Sequence, residues 1–65
     1  MRIEVNGETR MVAGPTLADA LAELGWGEAR VATALNGAFV PKSARAEAAL
    51  KDGDRLEVLA PMQGG

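Results

Sequence analysis

The chain ends Ala60-Pro61-Met62-Gln63-Gly64-Gly65, and the group in it best suited to chemistry is the terminal carboxyl of Gly65. An α-carboxyl, with a reference pKa of ~3.5, is ionised near neutral pH and is a poor electrophile until an activating group is attached. Activation requires the acyl residue to enter a partner's site. Gly64 and Gly65 carry no Cβ, can lie extended or at positive φ, and pass through a channel too narrow for a side chain. The same freedom predicts a mobile tail. A frayed, inert terminus is the plainer reading of two glycines, but it leaves unexplained the strand-like run that leads straight into them.

The rest of the sequence offers little chemistry of its own. It contains no cysteine and no histidine, which removes disulfides, thiolate nucleophiles, His general bases and the usual zinc ligand sets. No Gly-x-x-x-x-Gly-Lys loop is present to cradle a nucleotide. Sixty-five residues make one core and no walled cleft, so an enzyme in its own right is the least favoured class. The net charge is −2, with seven scattered basic residues and only Trp26 and Phe39 as aromatics, which argues against nucleic acid. Met1-Arg2-Ile3-Glu4-Val5 has no signal-peptide character and no apolar run approaches a membrane span, so a cytoplasmic protein off the membrane is expected.

The elements that must position the tail follow from periodicity. Met1, Ile3 and Val5 alternate with polar residues as a half-buried strand does. Asn6-Gly7 then predicts a hairpin to a second strand over Glu8 to Val12. A two-residue loop would set Ile3 opposite Arg10 and place a charge on the core face. A three-residue glycine-bulge loop, with Ile3, Val5, Thr9 and Met11 on one face, is therefore expected. Thr16 with Asp19 predicts a capped helix over Leu17 to Leu24, closed by Gly25 and lidded by Trp26.

Val31, Thr33 and Leu35 predict a third strand, with alanines between them that permit cover on both sides. Asn36-Gly37 turns it back through Ala38-Phe39-Val40, which Pro41 ends. Phe39 is either a core residue or an exposed contact. Ser43 is expected to cap a short helix through 44–50. After a turn at Lys51–Asp54, Arg55 to Leu59 is the last strand, with Leu59 on the polar Arg55/Glu57 face. A large apolar residue there is a partner contact or the cover of a sheet edge. This order predicts an α+β chain, a mixed four- to five-stranded sheet with one main helix across it and the first and last strands paired centrally, as in a β-grasp. Residues 1–60 form the domain and 61–65 its flexible tail.

The run Met-x-Ile-x-Val-Asn-Gly at 1–7, Thr-Leu-x-x-x-Leu at 16–21, Ala-Leu-Asn-Gly-x-Phe-Val-Pro at 34–41, Leu-x-Asp-Gly-Asp at 50–54 and Gln-Gly-Gly at 63–65 resembles the ThiS family of sulfur carriers in thiamine biosynthesis. The resemblance implies a ubiquitin-like β-grasp and a carrier that is not an enzyme and is monomeric when free. It implies that Gly65, with Gly64 before it, is adenylated by an E1-like, ThiF-like adenylyltransferase using ATP and Mg²⁺, this chain binding no cofactor itself. Sulfur relayed from a cysteine desulfurase would give a thiocarboxylate that serves a ThiG-like thiazole synthase. Leu59, Met62, Gln63 and Phe39 are the expected partner contacts. Carriers for molybdopterin or tRNA thiolation, and a ubiquitin-like protein modifier, are the alternatives.

Overall fold

The computed structural model describes residues 1–60, and two Asn-Gly pairs shape its sheet. Asn6 and Gly7 lie at φ 51° and 86°, Asn36 and Gly37 at 52° and 86°. Positive φ at both central positions makes a type I′ turn, whose twist suits two antiparallel strands and which asparagine and glycine tolerate best. The first turn joins β1 (Arg2–Val5) to β2 (Glu8–Met11), and the second joins β3 (Ala32–Leu35) to β4 (Ala38–Val40).

The glycine-bulge loop expected for the first hairpin is corrected. Val5 lies opposite Glu8 and Ile3 opposite Arg10, so the loop has two residues. The expectation was built on keeping Arg10 off the core face. It fails because β2 is an outermost strand with all four residues exposed, Arg10 included. Thr9 and Met11 consequently share the other face with Glu4 and Arg2, and Met11 is exposed.

Helix α1 (Leu17–Glu23) starts where the sequence predicts it. Thr16 Oγ1 accepts from the Asp19 backbone at 3.2 Å, and the Asp19 carboxylate accepts from the Thr16 backbone at 3.2 Å. Seven residues are too few for a stable helix in water, so packing must hold it. Leu17, Ala20 and Leu21 are buried against the sheet. Trp26 is half-buried at the helix end, its backbone N–H bound to the Leu21 carbonyl at 2.8 Å.

Strand β5 (Arg55–Leu59) lies in the middle of the sheet, parallel to β1 and antiparallel to β3, in the order β2-β1-β5-β3-β4. This is the β-grasp arrangement. Ile3, Val5, Leu56 and Val58 form the sheet side of the core, with Thr33 buried among them. No second layer covers β3 among the described residues: Ala32 is exposed and Ala34 half-buried. Alanine there marks an open face, not a two-sided strand.

The second helix is also corrected. Lys42–Glu47 is a 3₁₀ helix preceded by Pro41, and no side chain caps it, Ser43 included. It cannot run to Leu50 because residues 48–50 pair with the entry to α1. Leu17 N–H donates to the Ala48 carbonyl and Leu50 N–H to the Pro15 carbonyl, both at 2.8 Å. Extended backbone at that point delivers Leu50 to the core.

Candidate functional site: the open sheet face at the end of strand β5

Paired residues in neighbouring strands share a face, so the register assigns the sheet's open side directly. Leu59 pairs with Ala32, while Ala34 pairs with both Glu57 and Phe39. Leu59 and Phe39 therefore stand on the same side, away from α1, with Ala32 and Ala34 as a low floor between them. The two strands that carry them flank β3 and lie ~10 Å apart. Leu59 is 67% and Phe39 69% exposed. Two large apolar side chains are thus exposed on one face, so Phe39 is not a core residue, a choice that the sequence pattern leaves open.

The last strand is fastened at both ends. Beyond the end of β1, the side chain of Asn6 pairs with β5 as a strand residue would: its Oδ1 accepts from Val58 N–H at 2.8 Å and its Nδ2 donates to the Val58 carbonyl at 3.1 Å. β5 is thus held to within one residue of Leu59, although β1 stops at Val5. At the other end, Arg55 N–H donates to Asn36 Oδ1 at 2.9 Å and Asn36 Nδ2 donates to Asp54 Oδ1 at 3.0 Å. Asp54 Oδ2 accepts from Lys51 N–H at 2.9 Å. Asp54 is buried, and the sequence reading gave it no role beyond a turn. Its signal was the Lys51-Asp52-Gly53-Asp54 run, where an aspartate after a glycine can reach back to the turn's own N–H.

Beside Leu59 on the β1 side is a shallow groove walled by Glu4, Asn6, Gly7, Arg55 and Glu57. On the β3 side is a second cleft, at which Arg45 is buried, a position the sequence reading treated only as part of a helix. Of the residues expected to carry function, Phe39 and Leu59 are brought to one face. Met62, Gln63, Gly64 and Gly65 lie outside the described residues, as does the 61–65 tail boundary. Among the described residues no group of three or more His, Cys, Asp or Glu side chains is placed to hold a metal ion. No helix among them is long and apolar enough to cross a membrane.

Comparison with known proteins gives a consistent answer. Residues 3–65 match the ThiS family model. The chain is 33% identical to a thiamine biosynthesis protein (ThiS) of Geobacter metallireducens, whose crystal structure covers 100% of both chains at a TM-score of 0.84. A solution structure of a Geobacter metallireducens thiamine biosynthesis protein gives 32% identity and a TM-score of 0.77, covering 100% of this chain and 88% of that one. The chain is also 42% identical over 66 residues to a thiazole synthase of Paramagnetospirillum magneticum, covering 100% of this chain but spanning only 20% of that relative's length. On the full-length match and the shared β-grasp, the chain belongs to the ThiS family.

Proposed function

We propose that this chain carries sulfur on the C-terminal carboxyl of Gly65 for thiazole formation in thiamine biosynthesis. The observation that carries the reading is that the family match runs through to residue 65, continuous with a central strand that ends at Leu59, which shares the sheet's open face with Phe39 of β4. The Gly65 carboxylate attacks the α-phosphorus of ATP and releases pyrophosphate. AMP then replaces a poor oxide leaving group, and the terminal sulfur of a partner's persulfide, charged through a cysteine desulfurase, displaces AMP at the unhindered glycyl carbonyl. A second thiol of the partner then cleaves the acyl disulfide, leaving the thiocarboxylate and a partner disulfide, since this chain has no cysteine. ATP and Mg²⁺ are assigned to a ThiF-like adenylyltransferase, the sequence having no Gly-x-x-x-x-Gly-Lys phosphate loop of its own.

The thiocarboxylate so formed gives its sulfur at a ThiG-like thiazole synthase. The 42% identity to a thiazole synthase supports this acceptor over molybdopterin or tRNA. Docking is assigned to Leu59 and Phe39, with Met62 and Gln63 following into the partner's channel. Exposed apolar anchors of this kind lose binding on truncation while costing the free fold little.

ATP–pyrophosphate exchange by the host's adenylyltransferase tests this reading. The parent chain is expected to stimulate exchange and the Gly65 deletion to abolish it. Phe39→Ala/Leu59→Ala is expected to raise the carrier concentration for half-maximal exchange about tenfold, with the maximal rate kept. Exchange that survives loss of Gly65, or that the parent fails to stimulate, contradicts the proposal.

A further inference from the structure

Three of the seven basic side chains, Arg30, Lys42 and Arg45, line one cleft at the start of β3, with Glu28 as the single acid. Arg45 is the fixed member. It is only 8% exposed, its Nε donates to Thr33 Oγ1 at 3.1 Å and its Nη2 to the Val31 carbonyl. The Thr33 hydroxyl in turn donates a hydrogen bond to the Val40 carbonyl at 2.7 Å. A guanidinium has five N–H donors, so these two bonds lock its plane and leave three over.

Among the described residues none of the three cations is ion-paired; the pair found, Arg10 with Glu8 at 3.8 Å, lies on the far edge strand. A strut between the 3₁₀ helix and β3 would account for the two bonds of Arg45. It would not account for Arg30 and Lys42 gathering at the same cleft in a chain of net charge −2. A pre-oriented guanidinium flanked by two further cations suits a carboxylate, which it can engage through paired N–H donors.

The position of the cleft names the protein that brings that carboxylate. Ala32, on the cleft wall, is the strand partner of Leu59, the last residue of β5. The cleft therefore opens beside the point where the chain leaves the sheet, within reach of a protein that grips the chain beyond Leu59. Resting on the carrier reading above, we propose that the Arg30–Lys42–Arg45 cleft receives an Asp or Glu side chain of the adenylyltransferase that activates the tail. On the other side of Leu59 the groove carries Glu4 and Glu57 against Arg55 alone, so the two sides of the exit differ in net charge, which orients docking.

The test is calorimetric binding of the adenylyltransferase to the full chain across a salt series, with thiocarboxylate loading measured in parallel. Arg30→Glu/Lys42→Glu changes exposed side chains and should keep the parent's melting temperature. Its affinity is expected to fall about tenfold or more at low salt, with a flattened salt dependence. Arg10→Glu/Lys51→Glu, which makes the same change in net charge away from the cleft, is expected to bind within about twofold of the parent. Carbodiimide treatment of the parent complex should join Lys42 to an acidic residue of the enzyme.

Equal binding by both double variants, with the parent loading normally, overturns the inference and leaves the carrier reading intact. Loading lost with binding retained also overturns it, by placing the anion on the nucleotide. A parent chain that neither binds nor loads removes both readings together.

Discussion

Leu56→Ala is expected to lower the melting temperature by more than ~10 °C and to leave much of the chain unfolded in mild denaturant. Leu56 is fully buried in β5, the strand that joins the two halves of the sheet, with Val5 and Leu35 as its neighbours in register. Truncating a buried leucine costs ~2–5 kcal/mol once the cavity is included. A chain of this length has roughly 3–10 kcal/mol to lose. Leu59→Ala, three residues on and exposed, is the matched comparison and should melt close to the parent. Circular dichroism melts of both variants check this. Equal melting temperatures would mean that β5 is not the central strand.

Asp54→Ala is expected to destabilise the fold by ~1–3 kcal/mol, because it strips acceptors from two donors at once. Lys51 N–H loses its partner in the turn, and Asn36 Nδ2 loses the contact that steadies the β3–β4 turn against β5. Asp54→Asn should recover only part of the loss, since one carboxylate oxygen becomes a donor facing a donor. Urea titration reads both variants as a lowered midpoint at unchanged slope. A midpoint for Asp54→Ala equal to the parent's would show that the buried carboxylate does not hold the start of β5.

These two residues also mark how far the sequence could be read. Leu56 was legible because strand alternation is local: Leu56 and Val58 against Arg55 and Glu57 fix which side is buried without reference to any other strand. The same holds for Ile3 and Val5, for the Thr16–Asp19 capping box, and for Leu59 on the open face. Asp54 was legible only as far as its bond back to Lys51 within the turn; its role against Asn36 is set by tertiary contact. The first hairpin misled for a related reason. Keeping Arg10 off a core face is sound for a covered strand, but sequence does not say that β2 lies at the exposed edge of the sheet.

The alanine-rich stretch shows a second limit. Helix propensity over 44–49 is high, yet the backbone of 48–50 is taken by pairing with residues 15–17, and the segment closes as a 3₁₀ helix instead. Arg45 was hidden by the same composition. It is the single long polar side chain within Ala44–Ala46, and only the fold shows that it turns inward to Thr33 and Val31. Of the residues proposed to dock, the sheet places Phe39 and Leu59 on one face across β3, a juxtaposition that follows from the second Asn-Gly turn and from β5 lying centrally.

The central claim is that sulfur rides on Gly65, and intact-mass spectrometry tests it most directly. The chain is incubated with its host's adenylyltransferase, ATP and a sulfur source, beside a Gly65-deleted control. Oxidation of Met1, Met11 or Met62 adds almost the same mass as replacing oxygen by sulfur, so the gain is also checked by alkylation, which captures a thiocarboxylate and not a sulfoxide. The account predicts an alkylatable gain of one sulfur in the parent and none in the deletion. No gain with an enzyme competent on another carrier, or an equal gain without Gly65, would contradict it.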